Sequence, residues 1–309
     1  MTADLFLSSM YGSLGQGLLY APVAIGVYLS LRIMKKPDLT IEGTFAFGAV
    51  LSMTLLHHGA HFMTALVLAL FGGAVAGLTT ALIHTKIKID GIISGLLVTV
   101  ALFSINLAVM GRSNIAAPLD RFIFSPVREL LLRLGMQSFN AFQWSYIVVG
   151  AVVLMLVVVV LYLLYNTSFG LSIRATGDNE RMACSNGINT DSRKIASLVI
   201  SNAITGLAGA LVAQQQSGAD INTGTGTLII GLAALVIGEI ITPKNASMLT
   251  RFLFISLGSF VYFACISLVL MTNLHANWTR LLMAVFTLTA LCIPKVRQLF
   301  VNKRMEAAK

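Results

Sequence analysis

Only twelve Asp and Glu residues occur in the chain, and four of them, Asp38, Glu42, Asp220 and Glu239, fall in or at the ends of two short, glycine-rich apolar stretches. A carboxylate at such a place can cap a helix N-terminus, face a polar route through the protein, or hold a cation, because an ionised group in apolar surroundings needs a partner or water. The two stretches echo each other. "DLTIEGTFAFGAV" begins at Asp38 and reaches Gly43-Thr44, and "DINTGTGTLIIGLAALVIGE" begins at Asp220 and reaches Gly226-Thr227. Asp38, Glu42, Gly43, Thr44, Gly48, Asp220, Gly226 and Glu239 are therefore the candidate lining or gating residues. Caps at two helix N-termini account for Asp38, Glu42 and Asp220 equally well.

A second candidate region is the polar stretch 167–193, "TSFGLSIRATGDNERMACSNGINTDSR". Asp178 is a good N-cap for a short helix over Asn179 to Asn186, and Gly187 a good left-handed stop. A two-turn helix fixed at both ends presents a rigid knob, carrying Glu180, Arg181 and Met182; an ordinary solvated loop is the alternative.

Other chemistry is missing. The chain has no G-x-x-x-x-G-K-[ST] phosphate loop, so it does not hydrolyse ATP in that way, and no G-x-S-x-G or H-E-x-x-H site. His57, His58 and His61 in "HHGAH" could hold a metal, but without a nearby carboxylate or thiolate they read as a polar turn. Cys184, Cys265 and Cys292 show no paired spacing and read as small buried hydrophobes.

The elements that position these residues follow from apolar run length. Hydrophobic residues make up 57% of the chain and charged ones 11%, with mean hydropathy +0.86, which is membrane-protein composition. The whole of 1–309 reads as one transmembrane domain, an all-α polytopic bundle. Spans are expected near 11–33, 40–57, 62–84, 91–111, 144–166, 194–214, 226–242, 248–271 and 279–294. That makes nine, or eight to ten, because the second and seventh are short enough to be broken or re-entrant. The basic residues follow the first apolar run (Arg32, Lys35, Lys36), so Tyr11 to Ile33 reads as a retained span and not a cleaved leader.

With the N-terminus outside and the C-terminus inside, 16 of the 21 Lys and Arg face the cytoplasm, and the net charge of +9 needs no nucleic-acid partner. In that topology the region 167–193 is cytoplasmic and 112–143 external. Within the external segment, Ser125 as cap, Pro126, the stripe Val127, Leu130, Leu131 and Leu134, and Gly135 as stop describe an amphipathic helix on the outer face, either a packed lid or a docking surface. Small residues at helix-packing spacing, Gly73 with Gly77, Gly91 with Gly95, and Ser201, Thr205 and Gly209, read as close helix contacts.

Several of these stretches together resemble a known family. Gly170, Arg174, Ala175, Gly177, Asn179, Ala183 and Gly187-Ile188 match the cytoplasmic motif of permease subunits from binding-protein-dependent ABC importers of the branched-chain amino acid and ribose type. "PDLTIEGTFAFGA" is similar to that family's second-span signature, and "GLAALVIGEI" to a late glycine-containing span, with Gly238-Glu239 in place of a double Gly. "LLVTVALFSINLAVMGRSNI" resembles the branch associated with tryptophan and related amino acids.

The resemblance implies a bacterial inner-membrane, multi-pass subunit that is not itself an enzyme. A second permease chain, forming a homodimer with this one, would complete the pathway. An extracytoplasmic binding protein would deliver an aromatic amino acid, and cytoplasmic ABC ATPase subunits would hold ATP and Mg, leaving no cofactor on this chain. Arg174, Gly177, Asp178, Asn179, Glu180, Arg181, Met182, Ala183 and Gly187 would then form the coupling helix that seats in the ATPase. Asp38 and Glu42 are expected at the cytoplasmic mouth, in reach of water, as capping and gating groups; if the span is broken deeper in the membrane they would meet a substrate ammonium. The alternatives are the same machine importing a sugar or nucleoside, an ion-coupled carrier or channel acting alone, and, most remote, a membrane enzyme.

Overall fold

Small residues set the architecture by letting helix backbones touch. The computed structural model describes residues 3–243 and 245–271, with 281, 284, 285 and 287–289 beyond them. Its helices are α1 (Ala3–Tyr28), continued by a π-helical turn at Leu29–Ile33, α2 (Thr40–His57), α3 (Phe62–Thr85) and α4 (Gly91–Met110). After these come α5 (Ser125–Arg133), α6 (Ser138–Tyr165), α7 (Ser168–Asp178), α8 (Glu180–Ser185), α9 (Thr190–Gln215), α10 (Thr227–Ile241) and α11 (Met248–Leu270).

Six described helices are long and apolar enough to cross a membrane: those containing Ser9–Ile33, Phe62–Thr85, Gly91–Met110, Ser138–Tyr165, Thr190–Gln215 and Met248–Val269. The fold is thus a polytopic helical membrane protein. The helices of α2 and α10 are 18 and 15 residues long, as short as the sequence led one to expect. The expected span 279–294 falls, apart from isolated positions, outside the described residues, as does Cys292.

The chain is inverted in polarity relative to a soluble protein. The membrane-length stretches of α9 and α1 are 78% and 72% buried, whereas those of α4 and α6 are 28% and 33% buried, α6 exposing Val152, Met155 and Leu156 to the surroundings. With lipid outside, no hydrophobic force drives the helices together, so close packing and interhelical hydrogen bonds must hold them. α9 supplies both. It lies between α2 and α3, and a Cβ built on Gly48 of α2 would overlap the backbone carbonyl of Gly206 on α9, so the two backbones meet directly.

On one face of the bundle two loops pair as short strands, β1 (Asn114–Ala116) and β2 (Gly218–Asp220), antiparallel with Ile115 opposite Ala219. These strands depart from the all-α expectation; three-residue loops satisfy each other's backbone groups where no helix does. The segment 112–143 does contain a helix, but two details differ. Ser125 lies inside α5 and donates to Leu119 O instead of capping. The expected apolar stripe is split, with Val127 and Leu131 turned toward the protein and Leu130 and Leu134 exposed, because α5 packs edge-on against α6.

The histidines are structural. His57 Nδ1 lies 2.9 Å from Ala116 O and binds the end of α2 to β1, while His61 Nδ1 accepts from Met63 N at the start of α3. No group of three or more potential metal ligands occurs among the described residues. Cys184 is exposed and Cys265 half-buried, so neither is the buried hydrophobe expected.

Replacing Gly48 with Leu drives a side chain into the α9 backbone. It should destabilise the chain by the upper part of the ~1–3 kcal/mol range for overpacking, or more. A fall in the melting temperature of detergent-solubilised protein, followed by size-exclusion fluorescence, checks this.

Candidate functional site

The first site is built where α2 begins. The chain leaves the π-helical turn of α1, runs without regular structure through 35–38, turns at Leu39, and enters α2 at Thr40, already inside the bundle. Asp38 precedes the helix, and its Oδ1 accepts from Thr40 N at 2.9 Å, filling one of the donors a helix start leaves unpaired. Its Oδ2 accepts from Asn202 Nδ2 of α9 at 2.7 Å. The same Asn202 Nδ2 donates to Leu198 O at 3.0 Å, and Asn202 Oδ1 accepts from Thr44 Oγ1 at 2.7 Å. Thr40 Oγ1 in turn lies 2.7 Å from Thr80 Oγ1 on α3. Asp38, Thr40, Thr44, Thr80 and Asn202 are all essentially inaccessible, at 0–2% exposure. One buried amide thus locks α2 to α9 around a carboxylate, and the Thr40–Thr80 pair adds α3. This corrects the expectation for Asp38: it is sealed in the bundle, out of reach of water.

Glu42, one turn further, does something different. Its side chain crosses to the start of α10, where Oε1 accepts from Gly226 N at 3.1 Å. Gly226 has φ +84 and precedes the first residue of α10, so Glu42 caps a helix other than its own. Gly43 sits against Thr99 of α4, whose hydroxyl donates to Leu39 O at 3.0 Å. The two helix starts, one from each echoing stretch, therefore meet at Glu42.

The echo has a shared local geometry. Asp220 Oδ1 accepts from Asn222 N at 2.8 Å, the same two-residue turn that Asp38 makes with Thr40. Asp220 does not cap α10, however; it sits at the end of β2, six positions before Gly226, and stabilises the turn that leads back into the protein. Glu239 is also elsewhere. Near the end of α10 it accepts from Arg32 Nε and Nη2 at 2.7 and 2.6 Å, a bidentate pair at the end of α1, far along the chain from Gly226. Beside it lies a cavity of about 280 Å³ lined by Tyr28, Pro243 and Arg251.

The second site is the region 167–193. Its short helix exists, but the cap is Asn179 and not Asp178: Asn179 is extended (φ −152, ψ 99) and its Oδ1 accepts from Met182 N at 3.1 Å. Asp178 ends α7 and pairs with Lys35 Nζ at 3.1 Å. The break falls one residue later because α7 continues through Gly177, which is pressed against the Ile33 carbonyl at the end of α1; a Cβ there would overlap it. Gly187, at φ +79, ends α8, with Ile188 N donating to Ala183 O at 3.1 Å.

The tip is well fixed yet open. Ala183 is buried, while Arg174, Glu180, Arg181 and Met182 are exposed, Met182 at 63%. Lys194, mostly buried at the base of α9, hydrogen-bonds Glu180 and lies 3.8 Å from Asp191. That ammonium holds the Glu180 carboxyl below the ordinary carboxylate range. Arg193 stacks over Phe169 at 4.5 Å, tying α9 to α7.

Asn202 and Lys194 were not apparent as functional residues from sequence. Asn202 lies beside Ser201 in the small-residue stripe, and a polar residue at the centre of an apolar run was the available signal.

A helical bundle with a buried polar latch, two helix starts meeting inside it, and a capped surface knob is the architecture of a membrane permease subunit. The family model described as branched-chain amino acid transport system / permease component matches residues 9–291, and the chain belongs to this family. It is 35% identical over 256 residues to a tyrosine transport system permease protein of Clostridioides difficile, covering 83% of this chain and 81% of that one. It is 29% identical over 232 residues to the L-arabinose ABC transporter permease protein AraH of Azospirillum brasilense (73% and 64% covered). It is 26% identical over 259 residues to the autoinducer 2 import system permease protein LsrC of Yersinia pseudotuberculosis (83% and 68% covered). No solved structure matches. The chain is a permease subunit of an ABC importer and a multi-pass protein of the inner membrane.

Two outcomes arise from the geometry. Asn202→Leu leaves the Asp38 and Thr44 side chains without their partner, at about 1–3 kcal/mol for each orphaned buried group, and should lower the melting temperature accordingly. At Glu180 the sign is that of a depressed carboxyl: its contribution to holding α8 is complete above the unfolded value of about 4 and disappears as pH falls through the lower folded value. A spin label on Arg181→Cys, with Cys184 replaced by Ser, should stay immobile down to about pH 4 and gain mobility only in stronger acid.

Proposed function

We propose that this chain forms the translocation pathway of an ATP-driven importer for an aromatic amino acid. The observation that carries the reading is the capped, rigidly based and exposed α8, in a chain whose family serves transport systems and which contains no nucleotide-binding loop of its own. Cytoplasmic ATPase subunits, holding ATP and Mg, dock on α8. An extracytoplasmic binding protein delivers solute, and a second copy of the chain completes the pathway. In this reading the N-terminus is outside, the C-terminus is inside, and the bundle has nine spans. The likeness to a tyrosine permease supports the aromatic substrate. The second reading is the same machine importing a sugar or an autoinducer-type solute, favoured by the arabinose and autoinducer 2 relatives.

The structure offers a route for the drive. Motion of α8 acts on α7, and α7 presses on the end of α1 through Gly177 against Ile33 and through Asp178 with Lys35. The residues 34–39 then lead directly to Asp38 and the latch on Asn202. A pull on the knob is transmitted along a few residues of connecting chain to the place where α2 is held, a rigid-body bias between two packed states.

The test is purification and reconstitution. The chain should co-purify with an ABC ATPase, and proteoliposomes of that complex with its binding protein should accumulate labelled tyrosine or tryptophan only with ATP. Met182→Glu should abolish uptake while leaving the chain in the membrane at normal amount. Solute accumulation by the chain alone, without nucleotide hydrolysis, overturns the reading.

A further inference from the structure

Between α2, α4 and the turn before α10 lies a small cavity of about 80 Å³, lined by Glu42, Thr99, Phe103, Asn106, Gly224 and Thr225 among others. Its chemistry is one-sided. Glu42 brings a carboxylate engaged by the backbone N–H groups of Gly226 and Leu228 at the start of α10, and no described Lys or Arg forms an ion pair with it. Asn106, only 1% exposed, has an Oδ1 with no hydrogen-bond partner, in the last turns of α4. Thr99 donates its proton to Leu39 O, so toward the cavity its oxygen can only accept. Among the described residues no basic side chain lines the space, and Phe103 forms part of its wall.

A buried amide oxygen left without a donor costs about 1–3 kcal/mol, and such a group in a folded protein calls for a missing partner. The partner these walls select carries several N–H donors and a positive charge in little volume. An anion meets a carboxylate and acceptor oxygens here; an apolar group leaves Asn106 unpaired. We propose that the Glu42–Asn106 cavity is a binding subsite for a primary ammonium group, the amino end of an amino acid or amine, with the rest of the solute lying outside it past Phe103 and Thr225. Both of these are exposed, Phe103 at 49%, so the cavity opens on the outer face of α4. Asp38 is excluded from the role, since both its oxygens are taken and it is sealed.

The inference rests on the importer reading for its biological meaning, but the test reads the cavity's charge preference directly. Thr225→Cys is introduced into full-length chain in which Cys184, Cys265 and Cys292 are replaced by Ser, in nanodiscs. Its reaction is followed with a cationic reagent, aminoethyl methanethiosulfonate, and an anionic one, sulfonatoethyl methanethiosulfonate, each normalised to its rate with free cysteine. A lined cation subsite should favour the cationic reagent by about tenfold or more, the range in which a charged cleft concentrates its counter-ion. Glu42→Gln, which keeps an oxygen for Gly226 N, and separately Asn106→Leu, should bring the ratio toward one. Tyramine at millimolar concentration should slow the labelling, and 3-(4-hydroxyphenyl)propionate, the same ring without nitrogen, should not. Equal rates for the two reagents, a ratio unmoved by Glu42→Gln, or equal protection by the two ligands overturns the proposal. Failure of ATP-driven uptake alongside a positive labelling result would instead count against the importer reading and leave the subsite standing.

Discussion

The structure depends on one amide. Asn202 uses Oδ1 and Nδ2 to bind a threonine and an aspartate of α2 and its lead-in and a carbonyl of its own helix, and so fixes α2 to α9, while Thr40 carries the tie on to Thr80 of α3. In lipid, where apolar contact gives no net drive toward association, a satisfied polar group in the interior is worth its desolvation only when every partner is present. Here they are. The glycine contacts around it bring the backbones close enough for the short side chains of Thr40, Thr44 and Thr80 to reach. Packing and polarity are thus a single arrangement, since widening the helix spacing to admit larger side chains would break the hydrogen bonds.

Much of this was legible in the chain. Run length placed α2, α3, α4, α10 and α11 to within a residue or two, because a membrane span must be long, apolar and internally hydrogen-bonded. The small-residue stripes marked the α3 and α9 contacts. The features that escaped were choices decided by tertiary neighbours. Whether Asp178 or Asn179 caps α8 depends on how far α7 runs before it meets Ile33, which no local pattern encodes. The burial of Asp38 depends on Asn202, more than 160 residues away, and the ion pair of Glu239 on Arg32, at the end of a different helix. The echo between the two glycine-rich stretches was visible as sequence; its physical content, matching aspartate turns and a cross-helix cap, was not.

The two candidate sites share a short connection. The knob at α8 rests on α7, α7 rests on the end of α1, and the short connection after α1 ends at the latch. The π-helical turn at Leu29–Ile33 lies at the start of that connection. Wider turns of this kind often sit at functional places in helices, since they shift the register of the downstream residues by one position.

The bundle divides unevenly. α2, α3, α4 and α9 interlock through glycines and the Asn202 amide, while α1, α10 and α11 pack on one another, and α1 also packs closely on α9, where Gly26 lies against Ser201 and Thr205. Few polar ties join the groups, chiefly Ser201 Oγ donating to Gly26 O at 2.8 Å and Glu42 accepting from Gly226 N, with Tyr20 stacked on Phe45 between them. Glu42 sits where α2 meets the start of α10, so a guest that engaged this carboxylate would act on the join between the two helix starts.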